Sequence, residues 1–271
     1  MTVDFLGVGA PRTGTTFLDE VLRTSRFLEL PANRKEVHYF DKFFDRGEDW
    51  YAAFFSPDPL VRGEVTPSYL DDPLAASRIS KMLPEVKSII VLRDPVKRAF
   101  SHHQRIAQQR GTSLGFIDTL VPSNRAFSCS MYGSLLSRWF ECFDPSKVLI
   151  LRSEDLFSGH EFDRISDFLG ISRGSLSAPT EAVNANVGSL STTGRLLKKA
   201  SRLGYSYGLD RAISAAKSAV PNALVIAKED ESEVLSAEDY SRAAELFTAD
   251  MELLAQVSNV KPHDWWPDLW A

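Results

Sequence analysis

Residues 3–16 read VDFLGVGAPRTGTT, and this stretch decides the fold. Its first half is an apolar run typical of a buried strand, and its second half is a loop of glycine and hydroxyl residues that leads into an amphipathic segment. In this order of elements, backbone N–H groups of the loop and the N-terminus of the helix hold phosphate oxygens. The stretch therefore predicts a strand at 3–8, a helix at 15–23 and an anion site between them.

The loop differs from the Walker A loop of ATP-hydrolysing proteins. A Walker A loop places a lysine directly after its second glycine. Here Thr15 occupies that position, and the cation of the loop is Arg12. The apolar strand predicted at 88–92 ends at Arg93 and not at an acid that would bind magnesium. The loop therefore predicts phosphate binding without ATP hydrolysis, and a purely structural glycine-rich turn is the alternative interpretation.

Outward from this loop, apolar strands continue to alternate with helical patterns, which favours an α/β fold with a parallel sheet. The expected architecture is a P-loop-like three-layer fold with a central, mainly parallel β-sheet flanked by helices. We expect one domain over 1–271, with a flap or surface insertion at about 172–233, where periodicity is weak. Further strands are expected at 62–66, 88–92 and 147–151, and further helices at 73–83, 94–109, 132–143, 161–169 and from Ser236 onward.

Composition limits the class of protein. The 271 residues carry a net charge of -5, which argues against a nucleic-acid partner, and two cysteines are too few for a disulfide scaffold. The N-terminal residues show no secretory leader, and no apolar run approaches the ~18 residues of a membrane span. These features predict a reduced, cytoplasmic location without a membrane span.

Two further segments carry candidate chemistry. Arg93 follows a predicted buried strand and Ser101 lies two turns into the next helix, which suits a second phosphate. The alternative pairs Arg93 with a carboxylate and leaves Ser101 on the surface. Extended backbone at residues 35–40 would place Glu36 and His38 on one face, where a carboxylate and an imidazole can share acid–base work. A surface glutamate beside a structural histidine is the alternative there.

Lys97 and Arg98 are expected on a solvated helix face. The C-terminal segment 265–270 contains three tryptophans. It is interpreted either as a cap on the core or as a surface for an acceptor or partner.

Together these segments resemble the PAPS-dependent sulfotransferase family, especially its heparan-sulfate-type and related bacterial branch. The resemblance runs in order through residues 9–16, 35–40, 63–69, 92–101 and 149–156, with Tyr132, Trp139 and Phe140 between the last two.

The resemblance implies a donor and a mechanism. The donor would be 3′-phosphoadenosine 5′-phosphosulfate (PAPS), the product adenosine 3′,5′-bisphosphate, and no metal would take part. Arg12, Glu36 and His38 would be catalytic, with Glu36 as the base and His38 as its neighbour in the site. The implied cofactor-binding residues are Arg12, Thr13, Gly14, Thr15 and Thr16 at the 5′-phosphosulfate and Arg93 and Ser101 at the 3′-phosphate, with Arg195 as a candidate for a third part of the site.

The resemblance also places residues on the acceptor side. Thr66, Ser68 and Tyr69 would line it. Arg105 stands where heparan N-sulfotransferases carry a histidine, so acceptor handling is expected to differ. The acceptor itself, a hydroxyl or less readily an amine of a glycan, lipid or small molecule, is left open, as is the oligomeric state. A P-loop small-molecule kinase using ATP and magnesium and a non-catalytic nucleotide-binding module are the alternatives.

Overall fold

The structure is a computed structural model that describes residues 3–32, 34–56, 60–110, 114–179 and 233–270. Most of the expected flap or insertion, residues 180–232, therefore lies outside the described residues. The described part contains a five-stranded sheet in the order β2-β3-β1-β4-β5, and every paired neighbour is parallel. The strands are β1 (Phe5–Gly9), β2 (Leu28–Glu29), β3 (Val61–Val65), β4 (Lys87–Leu92) and β5 (Val148–Arg152).

Helices cover both faces of this sheet. The described helices are α1 (Thr15–Arg23), α2 (Tyr39–Lys42), α3 (Glu48–Ala52), α4 (Ala75–Met82), α5 (Pro95–Arg110), α6 (Arg125–Ser128), α7 (Tyr132–Phe140), α8 (Ser153–Phe157), α9 (Phe162–Leu169), α10 (Ala237–Val257) and α11 (Pro262–Trp265). One buried cluster packs α1, α8 and α9 against side chains such as Phe5 and Ile89. The other packs α4, α5, α7 and α10 against the opposite face, including Leu6 and Ile90. The expected three-layer α/β fold is confirmed.

The strand order points to a ligand site beside β1. Strands β2 and β3 lie on one side of β1, and β4 and β5 lie on the other side. The direction in which successive strands join the sheet therefore reverses next to β1. In open α/β sheets, ligands bind outside the carboxyl ends of the strands at such a reversal. The loops after β1 and β4 leave from this point, and they carry Arg12 and Arg93.

Capping side chains explain where two long helices begin. Asp94 is 2% exposed and accepts the Lys97 N–H at 2.9 Å, which fixes the start of α5. The same carboxylate accepts the Tyr240 hydroxyl at 2.6 Å, which ties α10 to α5. Ser236 accepts the Asp239 N–H at 3.0 Å and begins α10, as its spacing predicts.

The C-terminal tryptophan segment packs on the core. Trp266 and Leu269 are 3% and 4% exposed and belong to the cluster that contains α10. Trp265 and Trp270 pack against the same cluster while partly exposed. The segment therefore caps the core, which is the first of its two interpretations.

Helices α7 and α10 meet at a glycine. The Asp250 carboxylate accepts the Gly133 N–H at 2.7 Å and the Ser134 N–H at 2.9 Å, which satisfies the first turn of α7. A Cβ on Gly133 would lie 2.3 Å from the Asp250 carbonyl oxygen and 2.7 Å from the Leu254 nitrogen. Only glycine therefore allows this approach of the two backbones.

We expect Gly133→Ala to destabilise the fold by about 1–3 kcal/mol, because the added methyl group must push α10 away from α7. Urea denaturation measures the change. Gly115→Ala is the matched control, since its Cβ would approach only the flexible tip of Asp118. A Gly133→Ala protein as stable as the control would contradict this account of the contact.

The described residues contain neither a helix suited to crossing a membrane nor a cluster of metal-binding side chains. None of their helices combines the length and the apolar character that a membrane crossing requires. Their His, Cys, Asp and Glu side chains form no group of three or more that could hold a metal ion. Both cysteines, Cys129 and Cys142, are free thiols.

Candidate active site

The loop after β1 turns sharply to reach α1. Arg12 has φ 75° and Gly14 has φ 101°, both in the left-handed region. A Cβ on Gly14 would also lie 2.8 Å from the Phe157 ring. Both the positive φ and this close approach therefore require glycine at this position. Because Gly14 is the N-cap, no capping side chain occupies the first-turn N–H groups of α1 from that position. The loop has the form of an anion cradle.

The hydroxyl groups of the loop have separate partners. The Thr13 hydroxyl is buried and donates to the Ala10 carbonyl at 2.7 Å, so it holds the loop together. Thr15 is also buried, at 5% exposed. Thr16 is exposed, and its hydroxyl accepts the Lys35 ammonium at 2.7 Å. Of the three side chains, only Thr16 faces outward.

Arg12 joins the loop to α5. Its Nε and Nη2 donate to the Ser101 hydroxyl at 3.2 and 2.9 Å. The family resemblance implies that these residues bind two different phosphate groups, but the structure brings them into direct contact. The two expected subsites are therefore adjacent and share this guanidinium–hydroxyl pair.

The surroundings of Arg12 are strongly positive. Burial lowers its pKa to about 10, and the charges of Arg105, Arg93 and Arg98 contribute to the decrease. The pKa of His102 is lowered to about 3 by burial and by neighbouring arginines that include Arg12 and Arg98. Among the described residues no carboxylate forms a salt bridge with Arg12 or Arg93. Several guanidinium groups gathered in one place favour an anionic ligand.

Arg98 is the buried member of this cluster. It is 0% exposed, so the expectation of a solvated face is wrong. Its Nε donates to the Ser130 hydroxyl at 2.6 Å and its Nη1 to the Pro11 carbonyl at 3.3 Å. Nη2 donates to the carbonyls of Arg125 and Ala126 at 3.0 and 2.5 Å. Arg98 thus connects the β1 loop to the segment around α6.

The second half of the site surrounds His38. His38 has φ 59° and is the N-cap of α2, so the extended backbone predicted here ends at this residue. Its Nε2 lies 3.2 Å from a Glu36 carboxylate oxygen, and its Nδ1 lies 2.9 Å from Asp41 Oδ2. The Ser68 hydroxyl donates to the same Asp41 oxygen at 2.6 Å. The imidazole therefore bridges two carboxylates, and the Glu36 side chain remains 41% exposed.

This bridge sets the protonation of its members. Burial raises the pKa of Glu36, but the hydrogen bond to His38 and the charges of Lys35, His38 and Lys42 outweigh it, and the net pKa is lowered. Burial alone would lower the pKa of His38, and hydrogen bonds to Asp41 and Glu36 reverse this and raise it. Glu36 is therefore ionised at neutral pH and able to accept a proton.

Buried Glu64 supports this half of the site. Its carboxylate is fully buried and accepts the Val37 N–H at 3.2 Å, the Thr66 hydroxyl at 2.5 Å and the Tyr69 hydroxyl at 2.7 Å. Tyr69 in turn accepts the Tyr39 N–H at 2.9 Å. Burial raises the pKa of Glu64, and its hydrogen bonds oppose that shift. The network holds the backbone on both sides of His38.

This network determines where the predicted acceptor residues lie. Thr66 and Tyr69 are 0% exposed with hydroxyls committed to Glu64, so they support the site from behind and do not line its acceptor side. Ser68 is half-buried and contacts the Asp41–His38 pair. Arg105 is exposed on α5 and close enough to affect Arg12 and Lys35 electrostatically. Arg195 lies outside the described residues.

Sequence reasoning missed three contributors. Asp41 follows His38 by three residues, a spacing that brings side chains together once α2 is recognised as a helix. Glu64 and Arg98 were assigned no role, because their partners are distant in sequence or are backbone groups. The matching motif at 63–69 was the only sequence signal for Glu64.

The chain is similar in sequence to a known protein family. Residues 3–192 match a family model described as the sulfotransferase domain. The mouse protein named heparan sulfate glucosamine 3-O-sulfotransferase 6 is 35% identical over 178 residues, which are 61% of this chain and 52% of that protein. The human 3-O-sulfotransferase 3B1 is 32% identical over 182 residues, 61% of this chain and 45% of that protein. The chain thus spans about half the length of these curated relatives.

A solved structure agrees with the fold. The crystal structure of a sulfotransferase from Alicyclobacillus acidocaldarius has a TM-score of 0.58 and 22% identity, covering 83% of this chain and 99% of that one. At this identity the likeness concerns the fold alone.

The comparisons also correct two expectations. The curated relatives named here are animal heparan sulfate enzymes, from mouse, human and two Caenorhabditis species. The expected bacterial type and cytoplasmic location are therefore wrong.

Proposed function

Because this chain belongs to the sulfotransferase family, we propose that it transfers a sulfuryl group from PAPS to a hydroxyl group of a glycan. The observation that carries the proposal is the contact of Arg12 with Ser101 inside a cluster of arginines, in a site that also contains the ionisable pair Glu36–His38. One part of the site is built for anions, and the other presents a carboxylate that can accept a proton.

The residues of the site fit the donor. A guanidinium fork, a serine hydroxyl and the N–H groups of a helix N-terminus are donors that suit phosphate and sulfate oxygens. Two adjacent subsites suit a nucleotide that carries separate 3′- and 5′-anions. In our proposal the loop at 12–16 holds the 5′-phosphosulfate, and Arg93 and Ser101 hold the 3′-phosphate. When bound, PAPS supplies a sulfuryl group activated by its anhydride link to phosphate.

The residues then divide the work of the transfer. Glu36 accepts the proton of the acceptor hydroxyl as that oxygen attacks sulfur. His38, held by Asp41, fixes the orientation of Glu36 through its Nε2. Arg12 and the loop N–H groups stabilise the negative charge that develops on the leaving phosphate oxygen. Positioning and charge stabilisation are also what phosphoryl transfer requires of a protein.

The acceptor class is proposed from two observations. The curated relatives are named for the sulfation of heparan sulfate glucosamine at oxygen 3, which supports a glycan hydroxyl. Exposed Arg105, whose charge acts on Lys35, and half-buried Ser68, which contacts His38, add cationic and polar groups near Glu36. Such donors suit a polar, anionic sugar chain despite the net charge of -5 on the whole chain.

Isothermal titration with adenosine 3′,5′-bisphosphate tests the proposal. We expect binding in chelator without metal, and no binding of ATP–magnesium under matched conditions. Arg12→Met should weaken bisphosphate binding by about 10- to 100-fold, since a hydrogen bond to a charged group contributes about 1.5–3 kcal/mol. Binding of ATP–magnesium alone would overturn the proposal in favour of a P-loop kinase.

A further inference from the structure

Lys35 spans the gap between the two halves of the site. Its ammonium donates to the hydroxyl of Thr16, in the first turn of α1 directly after the anion loop, at 2.7 Å. The same nitrogen lies 3.9 Å from a Glu36 carboxylate oxygen. Lys35 is therefore the side chain that reaches from the segment of the base to the edge of the anion loop.

The ammonium is only partly solvated. Its side chain is 28% exposed. Burial lowers the pKa of Lys35, and Arg105 adds to this, while Glu36, Asp19 and Glu20 oppose it. An ammonium has three N–H donors. Thr16 accepts one of them, and Glu36 at 3.9 Å is beyond hydrogen-bond distance.

The transfer reaction defines what must pass through this gap. If the loop at 12–16 holds the phosphate and Glu36 activates the acceptor oxygen, the sulfur atom lies between them. The bond from sulfur to the phosphate oxygen breaks, and the bond from sulfur to the acceptor oxygen forms. The acceptor proton goes to Glu36, and the electron pair of the broken bond stays on the phosphate oxygen beside Arg12. The three remaining sulfuryl oxygens carry negative charge throughout and need a donor in the gap.

We propose, on the basis of the function proposed above, that Lys35 is a further catalytic residue that donates hydrogen bonds to the non-bridging sulfuryl oxygens during transfer. Arg12 stabilises the charge on the leaving phosphate oxygen, and Lys35 stabilises the charge on the sulfuryl group while it is transferred. The two cations come from different segments of the chain. Arg12 lies in the loop after β1, and Lys35 lies in the segment before α2.

Two simpler roles for Lys35 make different predictions. As a brace for Thr16, it would shape the loop and affect the binding of every ligand of that loop. As a charge beside Glu36, it would only help to lower the pKa of the base, and its loss would then be compensated at higher pH. A catalytic contact to the sulfuryl oxygens does not affect binding of the bisphosphate, which lacks the sulfuryl group. The loss of turnover that follows its removal is also not compensated at higher pH.

The test compares Lys35→Met and Lys35→Arg with the unchanged protein. We expect Lys35→Met to weaken PAPS binding by about tenfold and to leave adenosine 3′,5′-bisphosphate binding unchanged, because only PAPS carries the sulfuryl group. Turnover with PAPS and heparan sulfate chains as the probe acceptor should fall by about 10²- to 10³-fold at every pH tested. Lys35→Arg should recover part of this loss.

Two control variants sharpen the comparison. Thr16→Val removes the hydroxyl that Lys35 contacts, together with any contact of that hydroxyl to the bound anion, so its effect on bisphosphate binding sets an upper limit on the effect of the brace. Lys81→Met changes an exposed lysine on α4 and should leave turnover unchanged.

Three results would overturn the role of Lys35. These are an equal loss of PAPS and bisphosphate binding in Lys35→Met, recovery of its turnover at high pH, and unchanged turnover. Absence of bisphosphate binding in the unchanged protein is a different failure. It would overturn the proposed function itself, and this inference with it.

Discussion

Replacement of Glu36 by glutamine should lower turnover by about 10²- to 10⁴-fold, the usual contribution of a positioned general base. The amide keeps the size of the side chain and can still contact His38, but it cannot accept the acceptor proton. Binding of adenosine 3′,5′-bisphosphate should not change, because the contacts of Glu36 among the described residues are with Lys35 and His38 and not with Arg12 or Ser101. Steady-state turnover and titration of the bisphosphate, measured on one preparation, separate the two quantities.

The pH dependence gives a second readout of the same variant. Because the folded-state pKa of Glu36 is lowered, its ionised form persists below the usual carboxyl pKa. Turnover of the unchanged protein should therefore be retained down to that usual value and fall as pH drops through the lowered pKa. The residual turnover of Glu36→Gln should lack this acid limb.

Asp45→Asn is the matched control, since Asp45 is an exposed carboxylate in the segment just after α2. It should leave both turnover and the acid limb unchanged. Unchanged turnover in Glu36→Gln would remove Glu36 from the role of base. A loss of bisphosphate binding equal to the loss of turnover would instead assign Glu36 to the architecture of the site.

The sheet and its long helices were predictable because their local signals agree. β4 is a continuous apolar run, and α5 begins at an Asp–Pro pair whose capping bond forms as expected. The bounds predicted for α1 match those observed. The short elements α2, α3 and β2 were missed, since two to five residues carry too little periodicity to stand out from a loop.

The site was predictable in its residue types but not in its connections. Arg12 and Ser101 were both selected, yet their contact spans 89 residues of sequence and depends on β1 lying next to β4. Glu36 and His38 were predicted to lie on one face, and His38 Nε2 lies 3.2 Å from a Glu36 carboxylate oxygen. The turn at His38 was not predicted, because a left-handed backbone at a histidine has no strong sequence signature.

Buried charges were the main failure, and their cause is general. A sequence pattern assigns lysine, arginine and glutamate to the surface, because such residues are rarely buried without partners. Glu64 and Arg98 are exceptions whose partners come from distant segments or from the backbone. Sequence periodicity cannot identify a carbonyl group as the partner of a guanidinium.

We expect Arg98→Met to cause the largest loss of stability among single changes at the site, about 3 kcal/mol or more, because each buried acceptor left without a donor costs about 1–3 kcal/mol. Methionine fills much of the volume but leaves the Ser130 hydroxyl and the carbonyls of Pro11, Arg125 and Ala126 without their donor. Chemical denaturation measures the loss. Lys97→Met is the matched control, because this neighbour is 45% exposed and its ion pairs are 3.7 Å long.

The same variant separates support of the fold from support of the anion site. Since Arg98 holds the Pro11 carbonyl, its loss should loosen the β1 loop and weaken bisphosphate binding even in the fraction that remains folded. Arg98→Lys keeps the charge but not the planar fork, so it should restore part of the electrostatic attraction while leaving the loop poorly held. If Arg98→Met were as stable as Lys97→Met, the hydrogen bonds of Arg98 would only balance its desolvation. If Arg98→Met lost stability but bound bisphosphate normally, Arg98 would support the core near α6 without shaping the loop.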